Sequence, residues 1–272
     1  MGGAVVSMSG GPERTLPDMN APFAWPSNDH IMGVLEARIS DRQSFYWVRT
    51  YDLIAHRVLS DVGVDKRPIE LVPIGGEDFA FTDDGGHVEF RKDGHTQVLP
   101  TVGACFGLVW NPKTRRLRWL EVTTNRLDRA ALCEADIDSL SVVKHLLPAA
   151  ERLVKVPHGL EAIYVPGPIE SSYLPRSGTR LGLLVSVHNQ NDTMHVAVGS
   201  KNDKRKDSAS ALYALTYDIG NGKVSIVRSI SGMQQKGAPY IESMDWSPLT
   251  GKLILSFTDR TELVDVPGLT GP

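Results

Sequence analysis

The chain has 272 residues, 41% of them hydrophobic and 22% charged, with a formal net charge of −3. These are globular values that exclude a disordered chain, and the slightly acidic balance argues against broad nucleic-acid binding, which needs a basic face. Two cysteines, Cys105 and Cys133, are too few for a disulfide framework and have no metal-type spacing, so they read as buried thiols of a reducing compartment.

The start of the chain, Met1 to Gly11, has no basic segment followed by a long apolar one, so no signal peptide is recognisable. Gly2 is not followed by Ser or Thr at the sixth position, where Val6 stands, so the myristoylation pattern fails. No stretch reads as a membrane-spanning helix, and the expected location is cytoplasmic or virion-associated. Residues 1–21, rich in Gly, Pro and Ser, read as an N-terminal extension with a short strand near Ala4, and 22–272 as one domain.

From there apolar runs of strand length recur between turn residues: His30 to Ile39, Ser44 to Leu53, His87 to Arg91, Leu117 to Thr123, Arg180 to His188, Ala211 to Ile219, Val224 to Ile230 and Lys252 to Thr258. The joints carry turn chemistry, as in Asp83-Asp84-Gly85-Gly86, Gly220-Asn221-Gly222 and Pro248-Leu249-Thr250-Gly251. Hairpin after hairpin implies a meandering antiparallel sheet rather than βα units. One segment reads two ways. Over Asp136 to Leu153, Leu140, Val143, Leu146 and Leu147 have helical spacing, with Asp136 or Asp138 as N-cap, while Leu140 to Val143 also reads as a strand.

Two motifs repeat. Trp110-Asn111-Pro112-Lys113-Thr114 through Leu117 matches Trp246-Ser247-Pro248-Leu249-Thr250 through Leu253, with looser copies at Trp25-Pro26-Ser27 and at Phe81 to Gly86. Phe45 to Leu53, ending Thr50-Tyr51-Asp52-Leu53, matches Leu212 to Ile219, ending Thr216-Tyr217-Asp218-Ile219. An aromatic at a strand end, a turn and a doubly buried strand describe a sheet that needs neighbours to cover its faces. The stretch Met244-Asp245-Trp246-Ser247-Pro248, Lys252 to Ser256, Thr258 to Thr261 and Leu263 to Val266 resembles the last three strands of a WD40-type propeller blade. It departs from that pattern at Gly237-Ala238-Pro239-Tyr240, where Gly-His is usual, and at Val264, where Trp is usual. The expected fold is an all-β, β-propeller-like meander of about five blades of ~40–50 residues, six being the alternative, with at most one or two short helices. Another all-β arrangement, such as a sandwich, remains open.

Candidate chemistry is sparse. His188, Asp192 and His195 are metal-capable but sit about a polar hairpin loop, and no metal or cofactor is expected. The acids Asp29, Glu36, Asp52, Glu77, Asp78, Asp83, Asp84, Asp218 and Asp245 include no pair with a recognisable glycosidase setting. No hydrolase elbow, phosphate loop, dinucleotide fingerprint or zinc-protease motif is present. The interface candidates are Arg116, Arg118 and Trp119 on one strand and Lys204, Arg205 and Lys206 in a charged run. The expected function is therefore non-catalytic: a protein-binding or structural scaffold whose partners are other proteins in a multi-subunit assembly, a phage tail or virion component being one such case. A glycoside-hydrolase-like enzyme and a lectin-type module are the alternatives. Convergent carboxylates with perturbed acidity would mark the enzyme.

Overall fold

The structure is a computed structural model and describes residues 4–5, 14–16, 19–40, 43–123, 126–165, 174–175, 178–189, 211–231, 241–247 and 250–266. Two short strands, β1 (Ala4–Val5) and β2 (Arg14–Thr15), pair with each other. Five antiparallel sheets follow. The first holds β3 (Asn20–Ala24), β4 (His30–Ser40), β5 (Gln43–Asp52) and β6 (Arg57–Val64), so the sheet begins two residues before the boundary expected at 22. The second holds β7 (Pro68–Gly75), β8 (Asp78–Asp83), β9 (Val88–Lys92) and β10 (His95–Val98). The third holds β11 (Ala104–Asn111), β12 (Arg116–Val122), β13 (Ala130–Asp136) and β14 (Val142–Leu146). The fourth holds β15 (Leu160–Tyr164), β16 (Arg180–Asn189), β17 (Ala211–Asp218) and β18 (Val224–Ser231). The fifth has three strands, β19 (Ile241–Ser247), β20 (Lys252–Phe257) and β21 (Thr261–Val264).

In every sheet the strand order is the chain order. Successive up-and-down sheets of this size are the repeating unit of a propeller, and the chain is a divergent, propeller-like all-β fold. By packing it divides into two compact units, Met1–Pro100 with the first two sheets and Thr101–Pro272 with the other three.

Within each unit the cores lie between consecutive sheets. Met32 and Val48 of the first sheet pack with Leu71, Phe79 and Phe81 of the second. Phe106, Leu120 and Leu132 of the third pack with Leu181, Leu183 and Val185 of the fourth, while Leu184 and Leu212 turn to Met244, Leu253 and Leu255 of the fifth. Both faces of β16 are thus covered, which is why Leu181 to Val187 reads as a nearly continuous apolar run rather than an alternating one.

The repeated motifs occupy equivalent joints. Trp25, Trp110 and Trp246 each follow or end the opening strand of a sheet, at its first hairpin. At the third hairpin stand Asp52, Asp136 and Asp218, whose carboxylates accept backbone N–H groups of the turn: Ile54 and Ala55 at 2.8 Å, Asp138 and Ser139 at 2.9 Å, and Gly220 at 2.9 Å. These bonds favour the charged form and hold Asp52 and Asp136 below the usual carboxylate range, while Asp218 is held low first by a hydrogen bond from the Thr179 side chain and then by the Gly220 N–H. The fourth aromatic copy, at Phe81, belongs instead to a second hairpin, where Asp83 accepts from the His87 N–H at 2.7 Å.

Of the two readings for Asp136 to Leu153, the segment is a strand rather than a helix, but β14 covers Val142–Leu146 and so begins two residues after the expected Leu140; a single 3-10 turn follows at Ala150–Arg152. Asp136 closes a turn rather than capping a helix, and Leu140 takes φ 60°, which no α-helix accommodates.

Candidate functional site

Three of the interface candidates lie on β12, and alternation along it holds: Arg116 and Arg118 face one way and Trp119 the other. Arg116 is solvent-exposed, with its Nη1 3.4 Å from the Glu134 carboxylate. Arg118 is not an outer-surface residue. Its Nη1 donates to the Pro175 carbonyl at 2.7 Å, its Nη2 to the Gly178 carbonyl at 3.0 Å, and its Nε lies 2.8 Å from Glu134. Burial pushes the pKa of the guanidinium down, against the opposing pull of Glu134. Trp119 is fully buried beside its cross-strand neighbour Cys133. The interface reading is therefore corrected for Arg118 and Trp119. Alternation shows which residues share a face, but not that the chain around Pro175 and Gly178 covers one of those faces. Lys204, Arg205 and Lys206 lie outside the described residues.

On the Trp119 side of the same sheet, the Lys144 ammonium meets both oxygens of the buried Glu121 carboxylate at 2.7 and 3.0 Å. Cys105 is the cross-strand neighbour of Glu121, and the Cys133 Sγ lies 3.8 Å from its carboxylate. Desolvation and then the Glu121 charge push both thiols up, Cys133 to about 12. Such thiols stay protonated at neutral pH and are poor nucleophiles.

Six of the acids named from the sequence, Glu36, Asp52, Asp78, Asp83, Asp218 and Asp245, serve turns and strand pairs. Asp78 accepts from the Asp93 N–H at 3.0 Å, Glu36 from the Ser44 hydroxyl at 2.8 Å, and Asp245 from the Trp246 N–H at 2.7 Å. Asp83 is further engaged by Lys66 at 3.6 Å and by the His87 ring at 3.3 Å. His188 is buried in β16, 3.4 Å from a Glu161 oxygen, while Asp192 and His195 lie outside the described residues. Among the described residues no three His, Cys, Asp or Glu side chains come together as a metal site, and no helix is long and apolar enough to cross a membrane.

One acid escaped the sequence reading. Glu89 lies buried on β9 opposite Phe81, and desolvation, followed by the Asp83 charge, pushes its carboxyl up. Its only sequence signal is an acid between two core residues, Val88 and Phe90.

Apolar exposure is the more extensive feature. Among the described strands, the last of each sheet has another strand on one side only, and these strands show large apolar side chains to solvent: Val58 and Leu59, Val98, Val143 and Leu146, Ile226, and Leu263. Leu146 is the most open, at 83%. Unpaired edges with apolar side chains are places where other chains dock.

No protein-family model matches the chain, and no curated protein matches it in sequence. Solved structures resemble it at low identity. An oligogalacturonate lyase in complex with manganese is 11% identical with a TM-score of 0.49, over 90% of this chain and 65% of that one. The Swd1 (Cps50) β-propeller domain of Myceliophteria thermophila is 12% identical with a TM-score of 0.48, over 92% and 84%. TolB from Acinetobacter baumannii is 17% identical with a TM-score of 0.48, over 98% and 60%. The chain thus spans just under two thirds of the lyase chain.

Proposed function

We propose that the protein is a non-catalytic, protein-binding scaffold that works as a subunit of a larger assembly. The observation that carries this reading is the set of sheet edges: in all five sheets the final strand is unpaired on one side among the described strands and exposes large apolar side chains. A partner segment laid along such an edge gains main-chain hydrogen bonds and covers those side chains at once. A phage tail or virion particle is one assembly of this kind.

The runner-up is a carboxylate-dependent hydrolase. It is favoured by Glu89, a buried carboxyl pushed up beside a second acid, which is the character of a general acid. The second acid, Asp83, is held by the turn, Lys66 and His87, which leaves it poorly placed to act as nucleophile or base.

Crosslinking and mass spectrometry on the protein taken from its source test the scaffold reading. A stoichiometric complex with crosslinks beside β14 and β18 is the expected result. A partner-free protein that hydrolyses a glycan, and loses that activity in Glu89→Gln, would replace the scaffold with the hydrolase.

A further inference from the structure

Strands β4 and β5 are the longest pair of the first sheet, and they outrun their neighbours. Among the described residues, the β3 ladder on β4 stops at the pair Asn20 and Val34, and the β6 ladder on β5 stops at Val64 and Tyr46. Beyond those points β4 and β5 continue together through the pairs Leu35 with Trp47, Glu36 with Tyr46, Ala37 with Phe45, Arg38 with Ser44 and Ser40 with Gln43. The result is a two-stranded arm.

Side chains alternate across it. Leu35, Ala37, Ile39, Phe45 and Trp47 share one face, where the Phe45 and Trp47 rings lie 6.2 Å apart and Ile39 and Phe45 are 66% and 44% exposed. Glu36, Arg38, Ser44 and Tyr46 share the other face, and the register shifts between Arg38 and Ser40 at the tip of the arm.

The segment Leu35-Glu36-Ala37-Arg38-Ile39 is complementary to itself. When an antiparallel strand pairs with its own copy about a two-fold axis at Ala37, Leu35 meets Ile39 of the partner and Glu36 meets Arg38, each contact occurring twice. Centring the axis at Glu36 or Arg38 instead opposes like charges. Centring it between two residues sets the apolar face against the polar one, because the side-chain period is two. One register alone satisfies both charge and hydrophobicity.

We propose that two copies of this chain associate through β4, edge to edge about Ala37, to give a four-stranded sheet made of the two arms. This pairing is separate from partner capture by the final strands of the sheets, and either can fail without the other.

The test is sedimentation equilibrium of the purified full chain across the micromolar range, with circular dichroism confirming that each variant is folded. The wild type is expected to dimerise. Arg38→Glu faces each Glu36 with a second carboxylate and is expected to weaken the dimer at least about tenfold. The double variant Glu36→Arg with Arg38→Glu exchanges the charges and is expected to restore dimerisation. A wild type that stays monomeric, an Arg38→Glu protein that dimerises as the wild type does, or a folded double variant that remains as weak as the single one would each overturn the proposal.

Discussion

Arg118 on β12 donates to the carbonyl oxygen of Pro175 at 2.7 Å, bonding two residues 57 positions apart in the chain. With Gly178 and Glu134 it gives the guanidinium three partners in a buried setting, where an uncompensated charge or carbonyl is costly. Arg118→Met is expected to lower folding stability by about 3 kcal/mol, measured by urea denaturation. Arg118→Lys is expected to recover only a minor part, since one ammonium cannot span the fork of acceptors.

The Glu121–Lys144 pair makes a different prediction. Lys144→Met strands a buried carboxylate, so it is expected to destabilise more than the double variant Glu121→Gln with Lys144→Met. The coupling from the four-protein cycle should be about 1–3 kcal/mol. A cycle that closes additively would show that solvent, not Lys144, supports Glu121.

Glu89 sets a pH dependence of known sign. Its folded carboxyl is pushed above the ordinary value of 4.5, so the folded state favours the protonated form. The favourable contribution is complete below that ordinary value and is lost as pH rises through the folded one. Glu89→Gln is expected to match the wild type in melting temperature in acid and to exceed it near neutrality. Asp61, held low by the Arg49 guanidinium at 2.7 Å, acts oppositely, its contribution fading as pH falls.

Asn111 accepts the N–H groups of Lys113 and Thr114 at 3.0 and 3.3 Å, while Ser247 accepts that of Thr250 at 3.2 Å in the matching hairpin of the fifth sheet. Asn111→Ala is expected to cost about 1 kcal/mol. Asn111→Ser should cost less, because the fifth sheet already closes this turn with a serine.

Cys105 and Cys133 are buried and pushed up in pKa, so alkylation of the native protein is expected to be slow and to track unfolding. Rapid labelling of either thiol at neutral pH, followed by mass spectrometry, would contradict the burial described here.

The strands were legible because turn chemistry is local. Gly222, at φ 68°, and the Asp218 carboxylate mark their hairpin within a few residues of sequence. The third equivalent, Asp136-Ile137, was missed because Leu140, Val143, Leu146 and Leu147 happen to fall at helical spacing, and Leu146, exposed at a sheet edge, contributes nothing to a core. Arg118 and Glu89 were illegible for another reason. What surrounds them is made by Pro175, Gly178, Asp83 and Lys66, and nothing in the short windows around residues 118 and 89 announces those neighbours. Sequence patterns specify faces; only the assembled sheets decide which face is shut off from water.

That strand order copies chain order has a consequence for biogenesis. Among the described strands, each pairs only with the one just before or after it along the chain, so no ladder waits for a segment made much later. Each sheet can zip as it leaves the ribosome, and within each unit a finished sheet offers an apolar wall on which the next can condense. The long-range ties, such as the one from Arg118 to Pro175, then act as latches set after the sheets have formed, and their loss should show in the rate of unfolding rather than of folding.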